Sequence, residues 1–265
     1  MKYRLIAIDL DGTVINEEGT IIPSAKKAIR RAIDDGAKVT LATGRMYQPS
    51  NRFAQELGIT TPVICYQGAL IREPRHGKVL WQKPLPLSTA RRVIETIQQM
   101  GTHQYVYVDD EMYVEEITEK DLWYSERNAV ELNLVKDLGT LLKKRPTEIA
   151  ARGEPDEIDH LVSQLKAKFG PGLRVTKVHP RFCEIGSPAS GKGNALKYLA
   201  KLLGIAQSRT VAIGDGPNDI SMLEWAGLGI VIGTATEEVR AAADWVVDTG
   251  TGNSFAQAME RLLAT

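Results

Sequence analysis

Between residues 3 and 66, and again after residue 190, the chain alternates short apolar runs with helix-like patterns, and between those stretches the alternation breaks. The first part runs YRLIAIDL, SAKKAIRRAIDDG with Gly36 as a helix stop, KVTLAT, a helix around PSNRFAQELG, and PVICY. Residues 1–66 therefore read β-α-β-α-β with short connections, the pattern of a parallel sheet covered by helices on both faces. After residue 190 come a helix in GNALKYLAKLLG, the strand TVAIG, a helix in NDISMLEWAG, the strand LGIVIG, a helix in TEEVRAAAD, the strand WVV and a helix in SFAQAMERLLAT. From about residue 79 the texture differs. VLWQKPLPL, QYVYVDDEMYVEE and FCEIG read as antiparallel strands, with STARRVIETIQQMG and PDEIDHLVSQLKAKFG as helices covering them. The expectation is an α/β protein: a doubly wound parallel sheet from residues 1–84 and 186–265, interrupted by a smaller α/β domain of residues 85–185.

A length of 265 residues with 43% hydrophobic residues supports two cores of this kind. With 33 basic and 33 acidic residues the formal charge is zero, which argues against nucleic acid or an anionic membrane as partner. The run LIAI stops at Asp9, too short for a signal h-region, and no stretch has the apolar length of a transmembrane helix. Cys65 and Cys183 are far apart, without metal-type spacing, and read as buried thiols in a reducing compartment. The cytoplasm is the expected location, and nothing in the sequence signals an oligomeric state.

The chemistry concentrates where apolar runs end. In AIDLDGT, residues 7–13, Asp9 and Asp11 are two positions apart, so in an extended chain they point to the same side. At about 4 Å two such charges repel by roughly 1 kcal/mol in water and about 4 kcal/mol at an effective dielectric of 20. A cation is expected between or beside them. Thr43, Gly44 and Arg45 follow the second strand, and Asp215 through Asp219 follow TVAIG. Ligands of open α/β sheets bind outside the carboxyl ends of strands, where these loops meet. Lys192 opens a helix in SGKGNAL, a setting that favours an anion.

Singly these features have plainer readings: DLDGT as a turn with a cap, GDGPND as a loop leading into a helix, Lys192 as a solvated residue, and Arg45 as a surface or domain-contact charge. His103, His160 and His179 lack ligand spacing and read as ordinary histidines. Tyr105, Tyr107, Met112 and Tyr113 alternate at strand spacing and read as core of the inserted domain. Their joint order is what carries function. DLDGT, the Thr of LATGR, the isolated Lys192 and GDGPNDISML together resemble the four motifs of the haloacid dehalogenase superfamily, in its Cof-type phosphatase branch, and the similarity covers the whole chain.

That resemblance implies a Rossmann-like catalytic core with an inserted type IIB cap that sets specificity, and hydrolysis of a small-molecule phosphate ester through a phosphoaspartate. Asp9 would be the nucleophile and Asp11 the acid and base. Mg²⁺ would be held by the Asp9 carboxylate, the Asp11 main-chain carbonyl and Asp215. Thr43, Gly44, Lys192 and Asn218 would bind the phosphoryl group, and Asp219 would support the metal's waters or orient Lys192. Small sugar phosphates are the default substrates, with pyridoxal phosphate, flavin mononucleotide and phosphoglycolate open. Gln67 stands where this branch usually has Asn before Gly-Ala, and Thr234 where Asn commonly follows the glycine of GIVIG. Two rivals remain at this point. GSPASGKG, residues 186–193, matches a P-loop up to Gly193, which lacks the hydroxyl that would hold Mg²⁺, and would imply a nucleotide-dependent kinase or ATPase. A phosphorylatable Asp also belongs to non-enzymatic phosphoryl-receiving modules, which are smaller and have no inserted domain.

Overall fold

In chain order the strands and helices begin with β1 (Leu5–Ile8), α1 (Pro23–Asp34), β2 (Lys38–Leu41), α2 (Tyr47–Glu56), β3 (Val63–Cys65), β4 (Leu70–Arg72) and β5 (Val79–Gln82). They continue with α3 (Leu87–Gln99), β6 (His103–Val108), β7 (Glu111–Val114), α4 (Glu119–Asn128), β8 (Leu132–Leu134), β9 (Glu148–Arg152), α5 (Pro155–Phe169), β10 (Arg174–His179) and β11 (Phe182–Gly186). The last third holds α6 (Lys192–Leu202), β12 (Thr210–Gly214), α7 (Ile220–Trp225), β13 (Leu228–Ile232), α8 (Glu237–Ala241), β14 (Trp245–Val247) and α9 (Ser254–Leu263). The computed structural model describes residues 2–248 and 253–264. Met1, residues 249–252 and Thr265, which the sequence reading assigns to the first domain, lie outside the described residues.

The chain divides into one unit of Met1–Trp81 with Gly191–Thr265 and a second of Gln82–Ser190. In the first, a parallel sheet runs in the order β14-β13-β12-β1-β2. β1 is an interior strand, between β12 and β2, and all four residues of LIAI are buried, as a strand covered on both faces requires. From β1 the chain moves outward to β2 on one side and returns through β12 on the other. The strand order therefore reverses at β1, opening a crevice at the carboxyl ends of β1 and β12. Helices follow their apolar spacing: α1 buries Ala25, Ile29 and Ala32, while α6 buries Ala195, Leu196 and Leu199. Each large aliphatic side chain so removed from water contributes about 1.5–3 kcal/mol.

Two strands differ from the sequence reading. β3 meets the main sheet through the bridge between Ala42 and Ile64, and then pairs antiparallel with β4 in a three-stranded sheet β3-β4-β5. VLWQ, which the sequence reading grouped by texture with the antiparallel strands that follow although its bounds of 1–84 for the first domain include it, is β5 of this sheet. A tight turn closed by the Glu73 N–H on the Lys78 carbonyl returns the chain beside β4. Tyr198 of α6 then donates to the Leu80 carbonyl at 3.0 Å, and Trp81 lies against the Tyr198 ring with centroids 4.6 Å apart. At the other junction Gly186 pairs with Arg174 at the end of β11, so residues 186–190 stay with the second unit rather than the first.

The second unit is a six-stranded sheet, β10-β11-β9-β6-β7-β8, antiparallel except where β8 pairs with β7. α3 and α5 bury one face against Val106, Ile149, Cys183 and Ile185. Tyr105, Tyr107 and Met112 are buried, and Cys65 and Cys183 are both buried free thiols. Among the described residues no helix is long and apolar enough to cross a membrane.

α4 is fastened to this sheet by one buried carboxylate. Asp121 caps its own helix through Thr118, receives the Tyr105 hydroxyl from β6 and Arg152 from β9 at 3.0 Å, and lies 3.1 Å from the His103 ring. Burial alone would raise the Asp121 carboxyl, but hydrogen bonds from Tyr105 and Thr118 and the neighbouring His103 outweigh it and hold it below the ordinary aspartate value. The folded value is the lower one. The stabilisation is therefore complete above the unfolded value of about 3.9 and is lost as pH falls through the folded value. Asp121→Ala is expected to destabilise the protein by about 3 kcal/mol at neutral pH, since Arg152 would be left with no carboxylate. Thermal unfolding from pH 7 down to 3 checks this: the gap between wild type and variant should narrow below about pH 4, and a constant gap would show that Asp121 acts by packing alone.

Candidate active site

The crevice at the end of β1 is organised by a buried lysine. Lys192, 1% exposed, donates from Nζ to Asp9 Oδ1 and to Asp219 Oδ1, each at 2.6 Å. Asp9 follows β1, and its N–H donates to the Ile213 carbonyl of β12 at 2.9 Å, so the main chain itself sets the carboxylate in the crevice. Burial alone would strip the Lys192 proton, yet Asp219 and Asp9 raise its affinity for that proton above the ordinary lysine value. Lys192 stays a cation. Its position straddles the P-loop-like pattern: Gly186 ends β11 in the second unit, while Lys192 opens α6 in the first, with the Gly193 N–H donating to Ser221 Oγ at 3.1 Å. The ammonium is committed to two carboxylates rather than displayed by a nucleotide loop.

Asp219 has both oxygens occupied. Oδ1 takes Lys192, and Oδ2 accepts the N–H groups of Asp215 and Gly216 at 3.1 and 3.0 Å. Asp215 accepts the Thr13 hydroxyl at 2.9 Å, a bond between residues 202 positions apart. Oxygens of Asp9, Asp215 and Asp219 lie within 4.8 Å of one another. Burial, and then the charge of Asp219, push the Asp215 carboxyl up to about 6 despite the Thr13 hydrogen bond. Asp9 is also raised, by burial first and by Asp219 and Asp215 after it, with Lys192 pulling the other way. Three carboxylates face one ammonium. That donor set, all hard oxygen and in excess of its counter-charge, fits a divalent cation of the magnesium type, with Asp9 and Asp215 holding lone pairs that Asp219 has already spent.

Asp11 sits apart from this cluster. Arg45 grips it through Nε and Nη2 at 2.9 and 2.7 Å, so Arg45 is the partner of the second acid of DLDGT rather than a bare surface charge. The pair is legible in neither segment alone. Thr43 is fully buried, its Oγ1 accepting the Arg45 N–H at 3.2 Å and its own N–H bound to the Ile64 carbonyl. Asn218 donates to Gln67 Oε1 at 3.2 Å. Tyr66 and Gln67 both take φ of 51°, in the left-handed region, at a cost of order 1–3 kcal/mol each. Thus Asp9, Asp215, Asp219 and Lys192 form one hydrogen-bonded group, Asp11 joins it through Gly12 and Thr13, and Thr43, Gly44 and Asn218 come from neighbouring loops. Thr13, Arg45 and Gln67 are the participants that sequence reasoning did not assign. For Thr13 the signal was the motif itself; its partner was out of reach.

A family model described as haloacid dehalogenase-like hydrolase matches residues 6–259. The pyridoxal phosphate phosphatase YbhA of Escherichia coli is 30% identical over 272 residues, covering 97% of both chains. A crystal structure of a haloacid dehalogenase-like hydrolase from Bacteroides thetaiotaomicron superposes with a TM-score of 0.87 at 25% identity, over 98% of this chain and 99% of that one. The subclass IIB sugar phosphatase BT4131 shares the fold, with a TM-score of 0.85 at 21% identity over 99% and 100% of the two chains.

Gly12 tests how tightly the site is closed. Its φ is +76°, and a Cβ there would lie 2.6 Å from Asp215 Oδ2. Gly12→Ala is expected to cost about 1–2 kcal/mol from the backbone alone and to displace Asp215. Thermal unfolding measures it; a variant as stable as wild type would mean that the loop adapts without strain.

Proposed function

Since this chain belongs to the haloacid dehalogenase-like hydrolase family, in its Cof-type phosphatase branch, we propose that it is a Mg²⁺-dependent phosphatase of small phosphorylated metabolites. The observation that supports this most is the Lys192 ammonium seated on Asp9 beside Asp215, at the carboxyl ends of β1 and β12. Lys192 fixes Asp9 through Oδ1, leaving Oδ2 free of that contact. Asp9 attacks phosphorus, the ester P–O bond breaks, and the departing alkoxide takes a proton from the Asp11 carboxyl. Water then attacks the phosphoaspartate, giving its proton to Asp11, and the bond from phosphorus to Asp9 breaks to release orthophosphate. Arg45 holds Asp11 in a two-point contact in this structure, so each proton transfer requires Asp11 to leave that grip.

Asp9, Asp215 and the Asp11 main-chain carbonyl would hold Mg²⁺, which when bound offsets the repulsion between carboxylate and phosphoryl group. Asp219 orients Lys192 and the Asp215 loop. The Thr43 hydroxyl, the Gly44 N–H, Lys192 and Asn218 bind the phosphoryl oxygens. The Gln82–Ser190 unit serves as the cap that selects the leaving group, with sugar phosphates favoured and pyridoxal phosphate, the substrate in the name of YbhA, the first alternative.

A panel of phosphorylated metabolites, assayed with and without Mg²⁺, tests the reading, and no turnover of any ester would end it. Asp9→Asn should abolish hydrolysis without unfolding, and Lys192→Ala should lower kcat by about 100-fold or more. Substantial activity in Asp9→Asn would remove the covalent route. Chelated protein should be inactive and recover with Mg²⁺, while Ca²⁺, with its looser shell of about 6–8 oxygens, should compete without restoring activity. Initial rates against Mg²⁺ at fixed Ca²⁺ decide this, equal activation by Ca²⁺ being the contrary result.

A further inference from the structure

The turn after β3 brings a buried amide into the site for which the four motifs have no use. Gln67 is 3% exposed. Its N–H donates to the Thr43 carbonyl at 3.1 Å, and the preceding Tyr66 N–H donates to the Arg45 carbonyl at 3.0 Å, which stitches the turn to the loop after β2. On its other side, a Cβ on Gly68 would lie 2.2 Å from the Gly191 carbonyl, so the turn abuts the segment that leads into Lys192. Gln67 Oε1 accepts from Asn218, in the loop after β12. Three segments of the crevice thus converge on the turn that carries this side chain, and one of them, through Asn218, meets the side chain itself. Its Nε2 has no acceptor among the described residues, and Asn218 Nδ2 has one N–H left over after binding Gln67. The Thr43 hydroxyl hydrogen likewise has no acceptor among the described residues. Donors without protein acceptors, on a buried glutamine, a buried threonine and a half-buried asparagine, are matched by an anion with several oxygens. The left-handed conformation at Tyr66 and Gln67 is what delivers the amide here, although neither residue favours it.

We propose that Gln67 is a phosphate-contacting residue, its Nε2 donating to a phosphoryl oxygen beside Thr43 while Asn218 fixes its orientation through Oε1. This rests on the phosphatase reading and adds to it a ligand that lies outside the four motifs. The longer arm, where relatives in this branch commonly carry Asn, carries the donor one methylene further from the backbone.

Calorimetric titration of orthophosphate into the Mg²⁺-loaded protein tests this in the wild type, Gln67→Met and Gln67→Glu, with thermal unfolding alongside. Gln67→Met keeps the length and removes the donor; Gln67→Glu keeps the shape and places a repelling charge. Orthophosphate should bind about tenfold more weakly to the first and about 100-fold more weakly to the second, with melting temperatures close to that of the wild type. Binding within twofold of wild type in either folded variant overturns the inference while leaving the phosphatase reading standing. A wild type that binds no orthophosphate overturns both. Should Gln67→Met fail to fold, the isosteric Gln67→Glu decides alone.

Discussion

A fully buried ammonium is the constraint on which the site depends. Taking Lys192 out of water costs several kcal/mol unless its charge is met inside, and here it is met twice, by Asp9 and Asp219. Those partners lie 183 and 27 positions away, so the pairing ties the end of β1 to the start of α6 and to the turn before α7. The remaining geometry follows from it. With one oxygen taken by Lys192, Asp219 has the other free to gather the Asp215 and Gly216 N–H groups, which presents Asp215 to Thr13 and to the cluster. One cation among three carboxylates leaves the group short of positive charge, and that shortage is what makes a divalent ion a natural occupant.

Much of this was legible before any coordinates, and for a physical reason. Two aspartates ending an apolar run, a Gly-Asp pair ending another, and a threonine ending a third mark strand ends in a parallel sheet, where backbone geometry leaves side chains pointing into one crevice. What sequence could not show was pairing across distance. Thr13 with Asp215, and Arg45 with Asp11, depend on which strands become neighbours, and no local periodicity carries that information. That VLWQ pairs in a small sheet of its own with β3 and β4 was hidden for a similar reason. An antiparallel strand shows the same alternation whichever sheet it joins, and only the turn at Glu73 to Lys78 and the contacts to Tyr198 assign it. The turn at Tyr66 and Gln67 was invisible because neither residue type advertises a left-handed backbone, whereas Asn in that position would have. Gln67 was noticeable only as a departure from a familiar pattern.

The second unit resolves its polar interior differently. Asp121 there gathers a helix cap, a tyrosine, an arginine and a histidine, supplied by the start of α4, β6 and β9. Asp121 is saturated, so it fastens; Asp9 and Asp215 in the first unit have fewer donors and keep capacity to bind. The difference is in donor count rather than in residue type.

The first strand of the first unit has one early neighbour and one late one. β1 pairs with β2 within the first 41 residues, but its other edge waits for β12, where Leu5 lies opposite Thr210. The unit of Gln82–Ser190 has all its strands in one contiguous stretch and its own apolar core. On a ribosome adding about 5–20 residues per second, that inner unit is complete while β1 still has an open edge. Asp9 meets Lys192 and Asp215 only when nearly the whole chain has emerged. The surroundings of the Asp9 carboxylate are therefore assembled last, and a truncated chain lacking the final third has every residue of DLDGT but neither Lys192 nor Asp215.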